Sequence, residues 1–150
     1  MKIQYKKLAF SILAAAVLCT ATVITAFCDS RLSRLEINVN NIEYVCETEI
    51  TANSDGAHAA IRAARADGEA IDAGSVGLDL IMFREDGALM GSTGDFYSSE
   101  STNELTQTYD TSLKGSYFAF GKISCWKGES NILPSYESHL TGPTRSVICK

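Results

Sequence analysis

Short runs of alternating side chains, separated by glycine-containing turns, limit this chain to β-structure. In the run 42–50, glutamates alternate with apolar and hydroxyl residues, which predicts a strand with one buried and one solvated face. A second row of large apolar residues alternates over 76–82. The aromatic-rich run 117–126 is predicted to be a central strand. Turn signals lie between the runs, at Asn53-Ser54-Asp55-Gly56, Asp67-Gly68, Ala73-Gly74, Glu85-Asp86-Gly87, Thr93-Gly94-Asp95, Lys114-Gly115 and Lys127-Gly128.

This spacing predicts an all-β fold, a compact antiparallel β-sandwich with a barrel as the alternative. One segment argues for a helix, because 57–66 is rich in alanine and has Ser54 or Asp55 available as an N-cap. It carries a single large apolar side chain, Ile61, so a helix there would have little surface to bury. We therefore predict a strand over 57–66, with a helix as the alternative.

The first residues have the pattern of a secretory signal. A basic head over 1–7 precedes an apolar run over 8–18, which predicts an N-terminal signal helix. Cleavage after Ala21 or after Ala26 fits the small-residue rule, and we take 1–26 as the signal peptide. The alternative is an uncleaved signal anchor over 8–27, since this stretch has about the 20 residues that span a bilayer.

The remaining chain, 27–150, has the length of a single domain. The signal removes three lysines, which leaves 10 basic against 18 acidic residues and a net charge of −8. Such a charge repels nucleic acid and anionic membranes. We therefore expect a secreted, extracellular domain with no nucleic-acid partner and no membrane association after cleavage.

The cysteines favour an oxidising compartment. Removing the signal removes Cys19 and leaves Cys28, Cys46, Cys125 and Cys149, an even set suited to two disulfides. We predict that Cys46 pairs with Cys125, because both belong to strands with an inward row. The remaining pair, Cys28 and Cys149, lies near the two ends of the domain, which are often close in space. Four cysteines allow three pairings, and the other two remain open.

Residues for catalysis or metal binding are not apparent. His58 and His139 are far apart and lack ligand spacing, so both are interpreted as surface residues. The turn 53–56 resembles part of a calcium loop but has no following bidentate glutamate. The adjacent acids Glu85 and Asp86 are typical of a turn. We expect no catalytic set, no metal and no cofactor, which disfavours an enzyme.

Aromatic side chains are the best candidates for a binding surface. Phe96 and Tyr97 lie in a polar loop, and Tyr136 follows the aromatic-rich run. Exposed aromatics can stack on sugar rings or anchor a protein partner. Tyr97 is beside two serines and is expected to be the most exposed, whereas Trp126 is expected to close the core.

Three segments carry a resemblance to a known group of proteins. The stretches Ile71–Gly77, Leu80–Leu89 and Ser92–Ser99 contain an I-x-A-G-x-x-G … G-x-L … S-x-G-x-x-Y pattern, followed by the segment Gly115–Gly128. The chain over 58–130 thus resembles small secreted, mostly uncharacterised β-rich proteins of Gram-positive bacteria. The resemblance implies a compact exported β domain and does not extend to the cysteines.

These observations predict a binding or surface-interaction module for an extracellular protein or glycan. One alternative is a small extracellular hydrolase that uses carboxylates of the acidic loops. A second alternative is a secreted toxin or effector, although the negative charge disfavours attack on anionic membranes.

The signal predicts where the exported protein begins. We expect the secreted form to start at Thr22 or Phe27 and to lack Cys19, because the export peptidase cleaves after a small residue. N-terminal sequencing or intact-mass measurement of secreted material checks this. Secreted or membrane-bound protein that retains residues 1–7 would instead indicate the signal anchor.

Overall fold

The computed structural model describes residues 29–130 and 133–149, and this part of the chain is all-β. The predicted fold class is thus confirmed at that level, while the predicted signal helix lies outside the described residues. No helix in the described ranges is long and apolar enough to cross a membrane. The strands are β1 Asp29–Val39, β2 Ile42–Ala52, β3 Ala57–Arg65, β4 Val76–Arg84, β5 Leu89–Ser92, β6 Phe96–Tyr97, β7 Leu105–Thr111, β8 Gly115–Ser130, β9 Leu133–Leu140 and β10 Val147–Cys149.

The strands form two antiparallel sheets. The first sheet has the order β1-β2-β3-β7, and the second has the order β10-β8-β4-β5, with β6 paired to β4 and β9 paired to β8. The long strand β8 pairs with β4 along one edge, while β10 and β9 share its other edge. The prediction of a central strand over 117–126 is therefore confirmed.

The hairpin of β1 and β2 was not identified by the sequence patterns. Asn40 and Asn41 form its two-residue turn, with φ of 55° and 63°, and Val39 pairs with Ile42. Asparagine tolerates positive φ, and two consecutive positive φ values are typical of the type I′ turn that joins twisted strands. This turn places β1 at the edge of the first sheet.

The alanine-rich segment is strand β3, as predicted. It lies between β2 and β7, and Ala59, Ile61 and Ala63 are fully buried on its inner side. Both neighbouring strands satisfy its backbone hydrogen bonds. Tertiary pairing thus overrides the helix propensity of alanine, because a helix here could bury only Ile61.

Inward-facing side chains of both sheets form one continuous core. Within this core the two sheets approach closely at Gly121 in β8, where an added Cβ would clash with the Thr48 hydroxyl and lie 2.5 Å from Cδ1 of Ile61. The Gly121 N–H donates to Oγ1 of Thr141 (2.8 Å), which also shares a hydrogen bond with Oγ1 of Thr48 (3.0 Å). The missing side chain at Gly121 therefore lets β2 approach β8 and leaves room for a buried polar contact.

This close approach predicts a large effect of a single methyl group. We expect Gly121→Ala to lower the free energy of unfolding by about 1–3 kcal/mol, as overpacked cores do. The matched control is Gly142→Ala, since a Cβ at Gly142 meets only Oγ of Ser33, at 3.5 Å. The control should change stability by less than about 1 kcal/mol. Urea denaturation measures both, and equal effects of the two variants would contradict the proposed packing constraint.

Candidate functional site

The outer face of the first sheet is polar, and several of its exposed side chains form ion pairs. Alternate residues of its strands point away from the core and carry charges that pair across neighbouring strands. Such exposed pairs keep the face hydrated and contribute little to stability. The cross-strand ion pairs are Arg34–Glu47 (3.1 Å) and Arg62–Glu49 (2.8 Å), and Nδ1 of His58 lies 2.6 Å from Oδ1 of Asp110.

The outer face of the second sheet is instead rich in aromatic rings. Phe83 in β4 stacks on Phe118 in β8, with ring centroids 5.6 Å apart, and Phe120 packs edge-on against both. Ile81 lies opposite Phe120 in the strand register. These four residues, named here the phenylalanine cluster, are half-buried although they face away from the core.

A polar centre follows the phenylalanine cluster along β8. Lys122 makes an ion pair with Asp95 (2.8 Å), and its hydrogen bond to that carboxylate raises the pKa of the ammonium group. Asp79 lies opposite Lys122, is 8% exposed and accepts a hydrogen bond from Ser92 (2.6 Å). The carboxylates of the polar centre are therefore engaged by neighbouring donors.

At the far end of β8, an open cleft separates the turn 72–75 from two aromatic side chains, Trp126 and Tyr136. This aromatic cleft has a volume of about 420 Å³. Trp126 is the cross-strand partner of Tyr136 and is 44% exposed. Asp72 is exposed on the opposite wall, and its carboxylate has no ion-pair partner within the described ranges. The cleft thus combines an apolar ring surface with an exposed hydrogen-bond acceptor.

Hydrogen bonds hold the walls of the aromatic cleft together. The Tyr136 hydroxyl donates to the carbonyl of Gly74 (2.8 Å), and the backbone N–H of Trp126 donates to the carbonyl of Ser75 (2.7 Å). Within the turn, the Ser75 hydroxyl donates to the carbonyl of Asp72 (2.8 Å). The backbone of the turn is therefore fixed relative to both aromatic residues.

Tyr97 extends the aromatic cleft toward the polar centre. Its ring centroid is 5.0 Å from that of Tyr136, and the ring lies over Gly77, where an added Cβ would be 2.5 Å from Cε1 and Cζ of Tyr97. Burial, followed by the nearby charge of Asp95, raises the pKa of Tyr97. Because Gly77 has no side chain, the Tyr97 ring can lie against the sheet at this position.

The predicted surface residues are placed unequally. Tyr97 and Tyr136 come together and are half-buried, so the expectation that Tyr97 is the most exposed is wrong. Phe96, although 44% exposed, precedes Tyr97 in β6 and points to the opposite side of the sheet. The expectation that Trp126 closes the core is wrong. Its neighbour Cys125 belongs to the inward row of β8, so the same alternation directs Trp126 outward. Strict use of that alternation would have predicted that the Trp126 side chain points outward.

The cysteines lie mainly in the core. Cys46 and Cys125 are fully buried, and Cys149 is buried with its thiol donating to the carbonyl of Asn53 (3.2 Å). All three are free thiols in this structure, which therefore does not contain the predicted bond between Cys46 and Cys125. Cys28 lies outside the described residues, so the predicted pairing of Cys28 with Cys149 stays a prediction.

The two histidines each contact one carboxylate. His58 pairs with Asp110, and Nε2 of His139 is 3.0 Å from Oε1 of Glu137. Lys127 also contacts Glu137, and this hydrogen bond is the main cause that lowers the pKa of that carboxyl. Across residues 29–130 and 133–149, no group of three or more His, Cys, Asp or Glu side chains is arranged to hold a metal ion.

Comparison of the chain with protein-family models, with curated proteins and with solved structures gives no match.

The contact between Tyr97 and Gly77 can be tested by a double-mutant cycle. We expect Gly77→Ala to lower the free energy of unfolding by about 1–3 kcal/mol, because the new methyl group displaces the Tyr97 ring. In a Tyr97→Ala background the same change should cost less than about 0.5 kcal/mol, since nothing then occupies that space. Chemical denaturation of the four proteins gives both values. The same cost in both backgrounds would show that Tyr97 does not rest on Gly77.

Proposed function

We propose that this chain is an exported β-sandwich domain that acts as a binding module and takes a glycan in the aromatic cleft. The observation that carries the proposal is the exposed Trp126 ring opposite the exposed carboxylate of Asp72, on walls fixed by hydrogen bonds. In this reading residues 1–26 are a signal peptide and 27–150 the secreted domain, which agrees with the resemblance described above. The partners predicted from the sequence were an extracellular protein or a glycan, and the cleft favours the glycan.

The chemistry of a sugar ring matches the aromatic cleft. A pyranose has an apolar C–H face, which can stack on an indole or phenol ring, and hydroxyl groups at its edge, which donate to carboxylates. Trp126 and Tyr136 offer the rings, and Asp72 offers the acceptor. A volume of about 420 Å³ lies within the range of roughly 300–1,000 Å³ typical of small-ligand sites. We therefore expect the cleft to hold one or two sugar units.

The contrast between the two outer faces supports the choice of surface. The face of the first sheet is satisfied by its own ion pairs, whereas the second sheet presents aromatic rings from the phenylalanine cluster to the aromatic cleft. Within this surface the exposed ring is that of Trp126 in the aromatic cleft, and exposed apolar surface marks interaction sites. A longer glycan chain would follow β8 across the polar centre, where Lys122 lies between the two aromatic groups.

A carboxylate-dependent hydrolase is less well supported by the cleft. Glycoside hydrolysis requires two carboxyl groups facing one bond, roughly 5–10 Å apart. Among the described residues that line the cleft, Asp72 is the one acid. Asp79 is buried against Ser92, and Asp95 is paired with Lys122. No observation favours the second alternative, a secreted toxin or effector.

The proposal predicts the effect of removing the indole ring. With a panel of immobilised neutral and N-acetylated oligosaccharides as the probe, we expect Trp126→Ala to weaken binding about tenfold or more, as loss of a central aromatic contact does. Because Trp126 is exposed, the variant should keep the melting temperature of the wild type. The affinity is measured by surface plasmon resonance on the secreted protein.

The matched control is Leu32→Ala, which removes a side chain of 57% exposure in the first sheet and should leave binding unchanged. A third variant, Phe118→Ala, distinguishes binding at the phenylalanine cluster from binding in the aromatic cleft. Wild-type protein that retains no member of the panel, or a Trp126→Ala variant that binds as well as wild type, would contradict the proposal. Loss of binding in Phe118→Ala alone would place the ligand on the phenylalanine cluster instead.

A further inference from the structure

Two unbonded thiols from opposite sheets point into the same core. Cys46 in β2 and Cys125 in β8 are both fully buried and both point inward. Two contacts fix how the strands overlie one another. Thr48 lies over Gly121, and Nδ2 of Asn40 donates to the carbonyl of Trp126 (3.2 Å).

These contacts order β2 against β8. Going backward along the first hairpin from Thr48 to Asn40, the chain passes over β8 from Gly121 to Trp126. Cys46 is the inward residue immediately before Thr48, so it lies on the Trp126 side of Gly121, over the half of β8 that contains Ile123 and Cys125. The charge of an ionised Cys125 would also disfavour ionisation of Cys46, which agrees with this proximity.

The third described cysteine cannot pair with either of them. Cys149 contacts Asn53, which is seven residues from Cys46, or about 23 Å along an extended strand. In the other sheet Cys149 pairs with Gly115, which is ten residues, or about 33 Å, from Cys125. A disulfide needs Cα atoms within about 7 Å. The pairings Cys46–Cys149 and Cys125–Cys149 are therefore excluded by distance.

We propose that Cys46 and Cys125 are oxidised to a disulfide that links β2 to β8 through the core, and that this bond forms before the two sheets close. The pairing predicted from the sequence leaves Cys149 for Cys28, and the neighbour of Cys28 in the chain, Asp29, lies opposite Ala52, next to Asn53. The inference does not depend on the glycan site, but it rests on the export that forms part of the proposed function, because export supplies an oxidising compartment.

The oxidant is a disulfide-bearing thiol oxidant of that compartment. One cysteine loses its proton, and its thiolate attacks a sulfur of the oxidant disulfide, releasing the other oxidant sulfur as a thiolate. The second cysteine then attacks the mixed disulfide and displaces the remaining oxidant sulfur. Two protein thiols and one oxidant disulfide become one protein disulfide and two oxidant thiols, so two electrons pass to the oxidant.

Burial explains why the bond must precede closure of the sheets. Desolvation raises the pKa of both thiols from 9.0 to about 12 in the folded protein. At neutral pH this lowers the thiolate fraction about a thousandfold relative to the ordinary thiol, and the thiolate is the form that reacts. The fully buried sulfurs are also out of reach of an oxidant. A chain folded with reduced thiols should therefore stay reduced.

Peptide mapping of the secreted protein tests the bond directly. The protein is denatured with an alkylating agent and no reductant, then digested with trypsin. Peptide 35–62 contains Cys46, 123–127 contains Cys125 and 146–150 contains Cys149. We expect 35–62 linked to 123–127. Alkylation of both cysteines, or a link from either peptide to 146–150, would overturn the proposal.

Variants separate the bond from simple packing. We expect Cys46→Ala and Cys125→Ala each to lower the melting temperature by on the order of 10 °C, because the closed loop is long. The double variant should lose no more than either single variant, since each already removes the whole bond. Additive losses would mean that the cysteines contribute only as separate core side chains.

The order of oxidation and folding can be tested separately. Reduced protein is refolded first and then treated with oxidised glutathione, and a second sample is treated while still in denaturant. We expect the folded sample to oxidise at least 100-fold more slowly, in line with its lower thiolate fraction. Equal rates in the two samples would show that the thiols are accessible after folding and would overturn the proposed order.

Discussion

The close approach of β2 to β8 at Gly121 is the constraint on which the other features of the structure depend. Because Gly121 has no side chain, Thr48 and Ile61 from the first sheet can fill the space above β8. The Thr141 hydroxyl then joins the two sheets by contacting both Thr48 and the backbone of Gly121. A buried polar group is tolerated in a core when it is hydrogen-bonded in this way.

The same region completes the edge of β8 between its two partner strands. After β9, the Thr141 N–H donates to the carbonyl of Gly121, and the Gly121 N–H donates to the Thr141 hydroxyl. The Thr144 N–H donates to the carbonyl of Ala119. The Ala119 N–H donates in turn to the Thr144 hydroxyl (3.0 Å). The irregular segment that follows β9 therefore continues the pairing until β10 begins, and β8 leaves few backbone groups unsatisfied along its length.

Local alternation in the sequence was enough to predict β2, β4, β8 and, against helix propensity, β3. It failed for β1, whose partner is defined by a turn of two asparagines that no glycine marks. The order of the strands was beyond prediction because it depends on contacts between distant residues, such as β3 with β7. Trp126 was misjudged because its size was weighed above its position in the alternation.

The aromatic cleft could be predicted only in part for the same reason. Tyr97 and Tyr136 were candidates from composition, but the turn 72–75 that faces Trp126 is brought there by β4 and β8 pairing. Nothing in the sequence around Gly77 indicated that the Tyr97 ring occupies the space beside it. A site of this kind is assembled by long-range register, which a single sequence does not display.

Adjacent residues of β8 connect the core to the proposed binding surface. Cys125 points inward toward the first sheet, and Trp126, the next residue, points outward into the aromatic cleft. The Trp126 carbonyl is held by Asn40 of the first hairpin, and its N–H by the turn at Ser75. A cross-link at Cys125 would therefore immobilise the backbone that positions the indole ring. Immobilising a binding residue before the ligand arrives lowers the entropy lost on binding, so the proposed disulfide and the proposed glycan site support each other physically.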